Sequence, residues 1–221
     1  WFTGARLNYG EHVCRMAVGR EREVAIVGIS QSRDRVEVTW GELLEQVRRA
    51  RAGLRALGVG PGDRVAAYLP NVPETIVAFL ATSSLGAVWT SCAPEFGVQA
   101  VLDRFQQIEP TVLLAVDGYR YGRHDVSRRD ELATIRAGLP SLRATVFVPY
   151  AGGSDTADVP DGAVLWSDLL ADDGPLAFEQ VAVDHPLYVL YSSGTTGLPK
   201  PIIHGHGGIL LEHVKTLGLH G

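Results

Sequence analysis

Cysteine is nearly missing: Cys14 and Cys92 are the only two in 221 residues, they lie far apart, and they form no CxxC pair. That argues against a disulfide framework and a cysteine zinc cluster, and it makes a reducing compartment, the cytoplasm, the default expectation. A basic excess is missing too. Twenty lysines and arginines stand against 25 acidic residues, a net charge of −5, whereas a domain that grips a nucleic-acid backbone carries surplus positive charge. A small nucleotide fits this balance better than a nucleic-acid partner. The chain opens on Trp1 and lacks the basic and apolar regions of a secretory leader.

An unbroken hydrophobic run of spanning length is also lacking. The stretch 75–94 holds no charged residue, close to the ~20 residues a transmembrane helix needs. Thr75, Thr82, Ser83, Ser84, Thr90 and Ser91 make it too polar to span, and Gly86 divides it into a buried helix and a strand, 87–90. A parallel sheet covered on both faces produces such runs. With 46% hydrophobic and 20% charged residues, the composition is that of a folded globular chain and excludes disorder.

Local patterns then alternate. Residues 24–29 and 36–40 read as two strands joined by a polar turn, 30–35. Thr39-Trp40-Gly41-Glu42 has capping-box form and opens a helix whose stripe is Leu43, Val47, Ala50, Leu54 and Leu57, with arginines on the other face and Gly58 at its end. Residues 65–69 follow as a strand, then a helix with Asn71 as its cap, Pro73 in its first turn and Glu74 near its positive end. Val98, Val101, Leu102, Phe105 and Ile108 make the next helical stripe, 112–116 and 144–148 are strands, and 130–139 a helix. Tyr119 to Arg129 mixes tyrosines, arginines and His124; in an acidic chain this reads as a solvated loop. The sum is an α/β chain: a mostly parallel sheet with flanking helices. By region it divides into an extended arm (1–23), βα repeats (24–150), an exposed Gly/Asp/Ser linker (151–162) and a loop region (187–221).

That last region carries the chemistry. Leu187 to Tyr191 is an apolar run behind Pro186 and reads as a buried strand, followed at once by Ser192, Ser193, Gly194, Thr195, Thr196 and Gly197, with Lys200 closing the loop. Hydroxyls, closely approachable amides and one cation are what a polyphosphate requires. The spacing is not that of GxxxxGK[ST], since Pro199 and Pro201 flank Lys200. Ile202 and Ile203 form a return strand, and Ile209, Leu210 and Val214 start a helix. His204 and His206 are two potential ligands without a third nearby, too few for a zinc site.

Residues Tyr191 to Lys200 match at every position the signature [YF]-[ST]-S-G-[ST]-T-G-x-P-K and so resemble the adenylate-forming superfamily of acyl-CoA synthetases, luciferases and peptide-synthetase adenylation domains; Pro201 departs from the commoner glycine. The resemblance implies that Ser192, Ser193, Gly194, Thr195, Thr196, Gly197 and Lys200 hold the phosphates of ATP, with Thr196 a Mg²⁺ ligand. It implies His206 near the acyl group, and His204 at the position used by acetate-activating members. Trp1 to Asn8 resembles the W-F-x-G-x-x-L-N segment of short-chain acyl-CoA synthetases. Ser91 to Gly97 and Leu102 to Phe105 are more similar to the branch that activates acetoacetate than to the acetate branch. The implied activity is ATP-dependent joining of a short-chain keto acid to coenzyme A. Acetyl- or propionyl-CoA synthesis and a nucleotide-binding module without catalysis are the alternatives. The same resemblance implies a fragment: the first part of the large N-terminal domain, inactive by itself, with the adenylation lysine and the C-terminal domain beyond Gly221, so that no catalytic residue is assignable within it.

Overall fold

The computed structural model describes residues 2–151, 159–192 and 197–219. It opens with β1 (Arg6–Leu7) and α1 (Tyr9–Arg15), then the hairpin β2 (Val24–Gly28) and β3 (Val36–Thr39), and α2 (Trp40–Ala56). Strands and helices alternate through β4 (Arg64–Tyr68), α3 (Pro73–Ser84), β5 (Val88–Cys92), α4 (Val98–Phe105) and β6 (Val112–Val116). A second hairpin, β7 (Gly118–Tyr121) and β8 (His124–Ser127), precedes α5 (Arg129–Ala137), β9 (Ala144–Val148), β10 (Val164–Leu165) and α6 (Trp166–Leu169). The chain continues with β11 (Val181–Ala182), β12 (Pro186–Ser192), β13 (Lys200–Gly205) and α7 (His206–Leu219).

Seven strands form one sheet in the order β10-β9-β6-β4-β5-β12-β13. Its neighbours are parallel except for the last pair, where β13 returns antiparallel to β12. Alternation within each strand assigns side chains to two cores. Val65, Ala67, Val112, Leu114, Val146 and Val148 face α2, α3 and α6. Ala66, Tyr68, Leu113, Ala115 and Phe147 face α4 and α5. Helices on both faces explain why β6 is apolar at every position and buried throughout.

α2 starts where the capping box places it: Thr39 Oγ1 accepts from the Glu42 amide at 3.3 Å, and Glu42 Oε2 accepts from the Thr39 amide at 2.8 Å. Gly58, at φ +83°, takes the left-handed conformation that follows the helix end. One arginine leaves the expected polar face. Arg51 is buried beside Glu179, 3.7 Å away, because the segment after α6 crosses that side of the helix.

Four further expectations are corrected. Residues 1–23 are not simply extended, since α1 lies within them. Asn8 caps it, and the Asn8 amide nitrogen donates to the Ser83 and Glu179 carbonyls at 2.7 and 2.9 Å, so docking on α3 rather than any apolar period makes this helix. Asn71 does not cap α3. Val72 occupies that position with no side-chain bond, and Pro73 at the first helical site removes the amide that most needs a partner. The segment 118–127 is a hairpin, not a loop, turning at Gly122 with φ +61°. Finally, β12 is buried on one face only: Leu187 and Val189 are buried, while Leu190 is 48% exposed. Of the supposed linker, residues 152–158 lie outside the described residues; β10 and α6 directly after it had no sequence signal.

Candidate active site

β12 is parallel to β5, with Tyr188 opposite Trp89, so the turn after β5 and the loop after β12 leave the same carboxyl edge of the sheet. β4 connects through α3 to β5 on one side, and β5 through α4 to β6 on the other. Open α/β sheets bind ligands outside their carboxyl edge, where the strand order reverses in this way.

Several contacts frame that edge. The Tyr68 hydroxyl, at the end of β4, lies 2.7 Å from the carbonyl oxygens of Pro94 and Phe96, and Arg128 Nε donates to the Pro94 carbonyl at 2.7 Å. Arg104 places its guanidinium carbon 5.0 Å from the Phe96 ring centre and 5.8 Å from that of Tyr191. The Tyr191 hydroxyl donates to the Arg104 carbonyl at 2.9 Å, and Thr90 Oγ1 to the Val189 carbonyl at 2.9 Å. On the far side of the loop, Gln107 Nε2 donates to the Pro199 carbonyl at 2.9 Å. Burial pushes the Tyr68 and Tyr191 phenols up to about 12 and the Cys92 thiol up to about 11. All three are neutral near pH 7 and serve as framework, not as bases.

Of the sequence-derived site residues, Ser192 ends β12 and Lys200 begins β13, directly opposite each other in the ladder. Lys200 is exposed. Gly197 lies between them in sequence at φ +101°, and among the described residues no atom comes within 4 Å of where a side chain would begin, which leaves that face of its backbone accessible to an anion. Ser193, Gly194, Thr195 and Thr196 lie outside the described residues.

The two histidines diverge. His204 pairs across the ladder with Tyr188, ring centres 5.1 Å apart. His206 is fully buried at the start of α7, where Nδ1 accepts from the Tyr9 amide at 3.1 Å and the ring lies 5.8 Å from that of His185. Burial, with a smaller contribution from His185, lowers the His206 pKa to about 4, so its imidazole is neutral. Among the described residues no three His, Cys, Asp or Glu side chains group as a metal site.

Arg104 and Gln107 had no motif to announce them as partners of the loop. The resemblance had marked Asp103-Arg104-Phe105, but the contacts of Arg104 with Tyr191 and of Gln107 with Pro199 join segments about 90 residues apart, and no local pattern encodes them.

A mostly parallel sheet with helices on both faces, a hydroxyl- and glycine-rich sequence between β12 and β13, and a lysine opening the return strand define an α/β class whose ligands bind at the carboxyl edge. More narrowly, residues 15–218 match the AMP-binding enzyme family model, and the chain belongs to that family. It is 46% identical to "Acetoacetyl-coenzyme A synthetase" of Rhizobium meliloti (strain 1021), covering all of this chain and 34% of that protein. It is 40% identical to "Malonamoyl-CoA synthetase vrtB" of Penicillium aethiopicum, covering 97% and 31%. The solved "Acetoacetyl-CoA Synthetase from Streptomyces lividans" superposes with a TM-score of 0.94 at 55% identity, over all of this chain and 33% of that one. The chain thus spans about a third of the length of the relatives it matches.

Proposed function

We propose that this chain is the ATP-phosphate-binding part of an acid–CoA ligase that activates acetoacetate. The observation that carries the reading is the 55% identity and matching fold, over the whole chain, with a solved acetoacetyl-CoA synthetase. The site fits: a neutral framework, an open glycine and an exposed lysine lie at the edge where such sheets bind nucleotides.

In this reading the acid's carboxylate attacks the α-phosphorus of ATP, pyrophosphate leaves, and the thiol of coenzyme A then displaces AMP. Ser192, Ser193, Gly194, Thr195, Thr196, Gly197 and Lys200 hold the β- and γ-phosphates. Their donors and the Lys200 charge stabilise the negative charge that builds on the departing pyrophosphate. Mg²⁺, for which Thr196 is the candidate ligand, supplies further charge neutralisation. His206, the acyl-side candidate of the resemblance, follows Gly205, which pairs with Pro186 at the amino end of β12, the end of the strand away from the loop; there its neutral imidazole accepts from the Tyr9 amide and holds the N-terminal arm, so it is assigned no part in the chemistry.

The malonamoyl-CoA relative favours a second reading of the acid. Acetoacetyl and malonamoyl groups both carry a carbonyl on the β carbon. A pocket that merely adds apolar contact gains about 1–3 kcal/mol per methylene, whereas one that hydrogen-bonds a substrate oxygen rejects an analogue lacking it by about 10⁴-fold. The test is CoA thioester formation by the full-length protein with acetoacetate, malonamate, acetate, propionate and butyrate. Acetoacetate should show the highest kcat/KM and butyrate, which lacks the keto oxygen, a far lower one. Malonamate in first place would move the assignment to the second reading, and acetate or propionate in first place would leave only the family.

A further inference from the structure

We propose that Gln107 is a positioning residue for Lys200, a role that rests on reading Lys200 as the phosphate-binding cation. The Pro199 carbonyl, which accepts from Gln107 Nε2 at 2.9 Å, belongs to the peptide whose nitrogen is that of Lys200. Fixing that peptide sets the direction in which the Lys200 side chain leaves the backbone. Pro199 has no N–H of its own, so its carbonyl is the one backbone group by which it can be tied down.

The amide is held ready for this task. One Nε2 hydrogen is spent on the Asp103 carbonyl at 2.6 Å, on the last turn of α4, and the other is thereby aimed outward at Pro199. The same helix end holds the entry to the loop. The Arg104 carbonyl, in the last turn of the helix, accepts from the Gln107 amide at 3.3 Å and has a second lone pair for the Tyr191 hydroxyl at 2.9 Å. The C-terminal end of α4 thus grips both flanks of the loop, Tyr191 before it and Pro199 after it. Gln107 itself is exposed and packs into no core, so its amide is dispensable for folding.

The experiment is a double-mutant cycle in the full-length protein. Gln107→Met keeps the length and neutrality of the side chain and removes only the donor. It is combined with Lys200→Ala, and ATP–pyrophosphate exchange and thermal midpoint are measured for each variant. Gln107→Met should lower kcat/KM for ATP about 3- to 10-fold, the range of one neutral hydrogen bond, with an unchanged midpoint. On the Lys200→Ala background the same substitution should cost less than about 2-fold, because a residue acting through Lys200 has nothing left to position. Four results would overturn the inference: wild-type exchange by Gln107→Met beside an impaired Lys200→Ala; a full Gln107→Met loss that persists on the Lys200→Ala background; a lowered thermal midpoint that accounts for the lost activity; or an unimpaired Lys200→Ala, which would remove the phosphate-site reading itself.

Discussion

The backbone amide of Tyr9 donates to Nδ1 of His206, 3.1 Å away across 197 positions of sequence. This bond ties the N-terminal arm to α7, the helix that follows β13. It belongs to a wider seam in which the Tyr9 hydroxyl meets His213 Nδ1 at 3.0 Å and the Asn8 side chain bonds Ser83 and Glu179.

The seam predicts a pH dependence. His206 titrates near 4 in the folded chain, against about 6.5 when unfolded. Between those values the unfolded chain binds a proton that the folded chain refuses, so stability rises with pH through this window and falls as pH drops from about 6.5 to 4. The loss amounts to up to about 3 kcal/mol, the shift converted at about 1.4 kcal/mol per pH unit. The groups facing His206 are Tyr9, from α1, and His185, just before β12. His206→Asn keeps an acceptor for the Tyr9 amide but cannot titrate. Its denaturant midpoint should therefore show a flatter slope between pH 4 and 6.5 than the wild type does; parallel slopes would refute the assignment.

A second prediction concerns the contact of α2 with α6. A Cβ on Gly53 would stand 2.3 Å from the Leu169 carbonyl oxygen and 2.7 Å from that residue's side chain. Backbone cannot yield as a side-chain tip does. Gly53→Ala should destabilise by about 1–3 kcal/mol, overriding the ~1 kcal/mol that alanine gains over glycine within a helix. Gly208→Ala on α7 meets no atom of the described residues within 4 Å and should be neutral or slightly stabilising. Thermal melts of the two variants check both signs.

How much of this was legible beforehand depends on the range of the cause. The capping box at Thr39, the breaks at Gly58 and Gly86 and the β12–loop–β13 order follow from near neighbours in sequence, and the structure contains them. α1, the burial of Arg51 and the grip of Gln107 on Pro199 are set by segments distant in the chain. No periodicity reports such contacts. The 118–127 hairpin was misread for another reason: a short exposed strand pair, rich in charge, has no buried face to impose a visible alternation.

The two cysteines give a third test. Burial pushes Cys14 up to about 12 and Cys92 up to about 11, so at pH 8 almost none of either is thiolate, the reactive form. Peptide mapping after brief iodoacetamide treatment at pH 8 should find both unmodified in the native protein and both alkylated in urea. Rapid native labelling of Cys92 would mean that the carboxyl edge around Arg104 is more open than its contacts indicate.

The last prediction addresses the loop in the full-length protein. Lys200→Ala removes the positive charge that begins β13, opposite Ser192, and leaves the strand's backbone pairing intact. Gly197→Val acts differently: at φ +101° a β-branched residue is strained whatever space surrounds it, and its side chain would fill the open face where a phosphate oxygen approaches the amide. In the proposed function both changes fall where charge develops as pyrophosphate departs, so each should lower adenylation by about 10²-fold or more, in line with other lost transition-state donors. Measured as acid-dependent pyrophosphate release, Lys200→Ala should retain the wild-type thermal midpoint while losing rate. Gly197→Val should lose rate and some stability together. Undiminished release by both variants would show that the phosphates bind elsewhere, and the loop assignment would fall.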